Sequence, residues 1–132
     1  MPLVRTALLA TCAVVLALPV AARADGGGDS RSDVRVETSC SARSTVRLRV
    51  RTEDDDTLRV DVDVRTPLRG TSWSVVLVHE RRLVLRTTRR ASSGSFSLRR
   101  TIPDWPGRET VTVRATGPRG ETCRASATVD GD

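Results

Sequence analysis

The sequence predicts an all-β fold, an antiparallel β-sandwich of seven or eight short strands. From Val34 onward, apolar residues alternate with charged or hydroxylated ones at a period of two, the pattern of strands with one dry face and one wet face. Beyond residue 24, fourteen of the thirty-two apolar residues are Val. Branching at Cβ stiffens χ1 and suits a pleated surface. Clusters of Gly, Pro, Ser and Asp interrupt the alternation at short intervals, and a helix built from the same segments would carry its charges all round.

The 132-residue chain divides into three expected regions. Residues 1–24 read as a secretion signal. Arg5 supplies the positive start, Ala7 to Val20 the apolar run, and Ala22-Arg23-Ala24 the small-x-small site, so cleavage is expected after Ala24. Residues 25–33, rich in Gly, Asp and Ser, read as a flexible leader. Residues 34–130 form the sandwich domain. No second apolar run follows, so the mature chain is expected outside the cell, without a membrane span and as a monomer.

The strands follow in order. Val34, Val36, Thr38 and Cys40 share the dry face of the first. Val46, Leu48 and Val50 mark the second, and Leu58, Val60, Val62 and Val64 the third. The acidic hairpin Glu53-Asp54-Asp55-Asp56 joins these two. Pairing Val50 with Val60 sets Arg49 opposite Asp61 and Arg47 opposite Asp63, and these opposite charges select that register. Trp73 to Val78 is more continuously apolar, which suggests a strand covered on both faces. Leu83 to Leu85 follows a tight turn over His79-Glu80-Arg81-Arg82. Phe96 and Leu98 begin a strand after Ser92-Ser93-Gly94, and Pro103 to Gly107 is a loop. Val111, Val113 and Ala115, then Cys123, Ala125, Ala127 and Val129, flank the turn Gly117-Pro118-Arg119-Gly120. Facing Ala115 with Cys123 sets Val113 on Ala125 and Val111 on Ala127.

Cys12 leaves with the signal, so Cys40 and Cys123 have only each other to pair with. Both lie on the inward phase, one in the first strand and one in the last. In a secreted chain this is a structural disulfide. The loop it closes corresponds to a chain-entropy stabilisation of about 4–4.6 kcal/mol.

Lys, Asn, Gln and Tyr are absent. That excludes Schiff-base lysine chemistry and N-glycosylation. His79, the one histidine, reads as a surface turn residue, with no nucleophile-elbow motif to make it a catalytic base. The Glu53–Asp56 run reads as a solvated hairpin loop, with calcium as the alternative occupant. Trp73 reads as core, and Trp105 as exposed in its proline loop. Three mature aromatics are too few for a sugar-stacking face. No catalytic, cofactor or metal residues are expected. The remaining signal is Arg, which supplies every basic side chain, a composition that GC-rich codon usage also produces. Arg82, Arg86, Arg89, Arg90, Arg99 and Arg100 concentrate in the middle third. They read either as a solvated, salt-laced sheet face or as a patch for phosphate or carboxylate groups.

Several short motifs together resemble those of small secreted actinobacterial proteins of unknown function. They are Cys40-Ser41 before an alternating strand, Trp73-Ser74-Val75, Gly94-Ser95-Phe96, Arg99-Arg100 with Pro103-Asp104, and Gly120-Glu121-Thr122-Cys123-Arg124. The resemblance implies an immunoglobulin-like or fibronectin-type sandwich with one disulfide, and it implies no activity. The turn Glu80-Arg81 departs from the Asn-Gly expected there. The functional expectation is a non-enzymatic immunoglobulin-like domain with a binding or structural role outside the cell; its partner is unknown, with an extracellular polyanion or a cell-surface component as the two candidates. The alternative is a module for an extracellular polyanion such as a wall polymer, acidic glycan or DNA, acting through the Arg-rich segment.

Overall fold

A computed structural model describes residues 32–131. The expected secretion signal, and residues 25–31 of the expected leader, lie outside the described residues. The strands are β1 (Asp33–Ser39), β2 (Thr45–Thr52), β3 (Thr57–Arg65), β4 (Thr71–His79), β5 (Arg82–Ala91), β6 (Ser95–Pro103), β7 (Gly107–Thr116) and β8 (Thr122–Gly131). They form two antiparallel four-stranded sheets, β1-β2-β3-β6 and β5-β4-β7-β8. The chain changes sheet between β3 and β4, β5 and β6, and β6 and β7. The interleaved β3·β6 and β4·β7 pairings are the Greek-key crossing of immunoglobulin-like sandwiches.

Alternation in the sequence becomes alternation in burial. The inward rows of both sheets, among them Leu48, Val62, Val75, Leu77, Val113 and Ala125, meet in one core. Trp73 is fully buried in β4; its Nε1–H donates to Thr71 Oγ1 at 3.1 Å, and its ring centroid lies 6.3 Å from that of Phe96. The β2–β3 register matches the charge argument, with Val50 opposite Val60, Arg49 opposite Asp61 and Arg47 opposite Asp63. Ala115 faces Cys123, Val113 faces Ala125 and Val111 faces Ala127. Cys40 and Cys123 form the disulfide, their Cα atoms 4.3 Å apart, where β8 approaches β1 and β2.

Three expectations need correction. β4 is covered on one face only: Ser72 and Ser74 are exposed and Val76 and Val78 half-buried on its outer side. The leader reaches the sheet earlier than the alternation indicates, because Asp33 opens β1 and Ser32 exchanges hydrogen bonds with Thr52. β5 runs from Arg82 to Ala91, well past Leu85, because Thr and Arg rather than Val fill an edge strand that is wet on more than one side.

The turn between β4 and β5 is tight despite lacking Asn-Gly. Glu80 adopts φ 58°, an unusual conformation for a side chain of its type. Its backbone N–H donates to Thr110 O at 2.8 Å and its carboxylate accepts from Thr110 N–H at 2.8 Å, which staples the turn to β7.

Candidate anion-binding face

The two outer faces of the sandwich carry similar residues in opposite arrangements. On the β1-β2-β3-β6 sheet the register interleaves acids with arginines, as in the row Glu37, Arg47 and Asp63. Arg49 donates two hydrogen bonds to Asp33, at 2.9 and 2.7 Å, and these hold the Asp33 carboxyl below the usual carboxylate range. Arg47 pairs with Glu37 at 3.2 Å, Arg99 with Asp61 at 2.8 Å and Arg51 with Glu53 at 3.2 Å. A groove of about 580 Å³ crosses this face, but the arginines in its lining already have carboxylate partners: Arg99 meets Asp61 within it, and Arg47 and Arg49 meet Glu37 and Asp33 beside it. This face is salt-laced.

On the β5-β4-β7-β8 sheet, the row through Val76 places Arg114 directly beside Arg124, with Arg86 on the other side of Val76. Arg90 lies two outward rows further along β5, opposite Ser72. The rows beside the Arg row hold hydroxyls. Thr88, Ser74, Thr116 and Thr122 lie on one side, and Thr112 and Ser126, hydrogen-bonded at 2.9 Å, on the other. None of these rows contains a carboxylate. Among the described residues, Arg86, Arg90, Arg114 and Arg124 form no ion pair, in contrast to Arg108, which meets Asp130 at 3.4 Å at the far end of β7. A depression of about 320 Å³ lies between Arg114, Thr116, Thr122 and Arg124.

The six sequence-selected arginines therefore separate, because β5 and β6 belong to different sheets. Arg86 and Arg90 join the unpaired face. Arg99 joins the paired face, bound to Asp61. Arg82, Arg89 and Arg100 take the inward phase where β5 and β6 border each other, with Arg82 lying 5.4 Å from the Trp105 ring centroid and Arg89 bonded to Thr87 and Thr88. Arg114 and Arg124 were legible only through pairing. Each is an isolated Arg in its own segment, and the β7–β8 register that brings them together was read for its inward residues alone.

His79 is not a surface turn residue. It continues the inward phase of Trp73, Val75 and Leu77, and is 1% exposed. Its Nε2 lies 2.8 Å from Glu109 Oε1, and Glu109 is itself 1% exposed. Trp105 donates its backbone N–H to the same oxygen at 2.6 Å and stacks on the imidazole at 4.1 Å. Burial pushes the His79 imidazole below its ordinary value, against the opposing pull of Glu80 and Asp104. A neutral imidazole donating from Nε2 satisfies this geometry. No Ser, Thr or Cys side chain is hydrogen-bonded to His79 among the described residues; the His79–Glu109 pair lies at the end of the core. At the acidic hairpin, Glu53 turns toward Arg51 and Arg59, at 3.2 and 3.9 Å. Among the described residues no group of three or more His, Cys, Asp and Glu is placed to hold a metal.

No family model, curated protein or solved structure matches this chain.

Proposed function

We propose that this chain is a secreted, non-catalytic immunoglobulin-like module that binds an anionic polymer outside the cell through the outer face of β5-β4-β7-β8. The observation that carries the reading is the row Arg86–Val76–Arg114–Arg124, with Arg90 two outward rows away, left without carboxylates while Arg47, Arg49 and Arg99 of the opposite face are ion-paired. Arg forks bind oxyanions bidentately, and unpaired forks need not surrender an existing partner to do so. Export is supported by the Arg5 and Ala7–Val20 segment, the Ala22-Arg23-Ala24 site and the Cys40–Cys123 bond.

The test is elution of the purified protein from immobilised heparin. Four neutralised charges give an affinity that falls on the order of 50-fold between about 0.05 M and about 0.2 M salt. Arg114→Ser/Arg124→Ser should elute at clearly lower salt. Arg47→Ser/Arg49→Ser changes net charge equally on the paired face and should elute close to wild type. Equal shifts in the two double variants would mean that only net charge matters, and the reading would be wrong.

A further inference from the structure

We infer that the β7–β8 half of this face binds phosphate esters carried on a hydroxylated, non-aromatic chain, such as a polyol-phosphate polymer; the inference rests on the anion-binding reading above. Arg114 lies directly opposite Arg124, so two guanidinium forks stand about 5 Å apart at their Cα atoms. One fork fills a planar carboxylate. Two adjacent forks fit a tetrahedral group whose oxygens project out of a single plane. Like charges placed opposite each other across strands repel, and an anion seated between them removes that repulsion.

The flanking rows define what the anion is attached to. Thr116 pairs with Thr122 on one side of the two arginines and Thr112 with Ser126 on the other, each about 7 Å away along the strands. Hydroxyls both donate and accept, which suits the hydroxyls of a polyol on either side of a phosphate. The depression between Arg114, Arg124, Thr116 and Thr122, about 320 Å³, has room for the phosphate and part of its neighbour. No aromatic ring lies on this face. Trp73 and Phe96 are buried in the core, and Trp105 is stacked on His79 at the other end of the sandwich. Binding of single-stranded nucleic acid draws much of its affinity from bases stacked on exposed rings. The face offers charge and hydroxyls without a stacking surface.

The probes are poly(glycerol phosphate), oligo(dT) of equal phosphate count and dextran sulfate, measured by calorimetry at fixed salt. Poly(glycerol phosphate) should bind most tightly. Thr116→Val/Thr122→Val keeps β-branched residues in the strands and should weaken that polymer about 5–10-fold while leaving oligo(dT) unchanged. Arg114→Ser/Arg124→Ser should weaken all three. Oligo(dT) or dextran sulfate binding as tightly as poly(glycerol phosphate), or a Thr-to-Val double variant without effect, overturns the ligand class while leaving anion binding intact. Failure of all three probes to bind overturns both.

Discussion

His79 and Glu109 show how a buried polar residue is placed by phase alone. Each sits two positions outside an apolar row, His79 after Leu77 and Glu109 before Val111, so each points inward at the end of the core. Extending the alternation by one step would have found both. Adjacency to a turn hid the first, and charge hid the second. Removing either partner strands the other in a dry site, so His79→Leu or Glu109→Leu should cost about 2–4 kcal/mol by urea denaturation. The double variant His79→Leu/Glu109→Leu should recover most of that loss, because a well-packed apolar pair can replace a buried polar one. The pH dependence has a defined sign. The folded imidazole titrates below its ordinary 6.5, so the unfolded chain takes up the proton first. Stability from this group is complete above about 6.5 and falls as pH drops toward the folded value. The groups facing it, Glu109, Glu80, Asp104 and the Arg82 beyond Trp105, stay in place in the wild type, and the double variant should lose this component of the pH profile. Glu121 adds a second acid-sensitive contribution. Burial raises its carboxyl, but the Ser44 hydroxyl and the Ser44, Ala42 and Arg43 N–H groups outweigh burial and hold it below the ordinary 4.5. Its contribution is therefore present above about 4.5 and is lost below it.

At the scale of the strand, the Arg-rich middle third has a topological cause. β5 and β6 are the edges of their sheets, and charged side chains on edges discourage pairing with another chain. The irregularity between Leu77 and Val78 on the β4–β5 ladder serves the same end. Clustering in sequence thus marked edges, whereas convergence in space came from β7 and β8, where the sequence shows single arginines. The strand faces and two hairpin registers were legible because period-two burial and cross-strand charge are local signals. Which strands share a sheet was not, because Greek-key crossings are set by whole-domain packing. The Arg114–Arg124 pair predicts a trade-off between stability and binding. Arg124→Glu turns a repulsive cross-strand pair into an attractive one and should raise the melting midpoint by about 1–6 °C while abolishing heparin retention. An unchanged midpoint would show that the two guanidinium groups already avoid each other. Gly117 sets a further constraint on strand ends: a Cβ there would lie 2.5 Å from Trp73 Cη2, so Gly117→Ala should cost about 1–3 kcal/mol by urea denaturation.

For the whole molecule, the disulfide bears on stability, and the outer face of β5-β4-β7-β8 on the binding proposed above. Cys40 lies just beyond β1 and Cys123 within β8, 83 positions apart in sequence, so their bond ties the first and last strands of the domain together. Beside it, Glu121 ties the Ser41–Ser44 loop to the same corner through Ser44 and Ala42. Closing so long a loop acts mainly on the unfolded chain, and Cys40→Ala/Cys123→Ala should cost about 2–5 kcal/mol. The binding face should respond differently. Cys123 points inward from β8 while Arg124 and Thr122 point outward, and the β7–β8 ladder that positions them is held by its own register from Gly107–Gly131 to Thr116–Thr122. Below its lowered unfolding midpoint, the disulfide-free variant should therefore retain poly(glycerol phosphate) with less than about a twofold change in affinity, since Arg114, Thr116, Thr122 and Arg124 are left in place, although Cys123 borders the depression they line. Measuring urea midpoint and polymer affinity on the same sample separates the two roles. A large loss of affinity in protein that circular dichroism shows to be folded would mean that the disulfide corner positions the face, and that stability and binding are not separable in this sandwich.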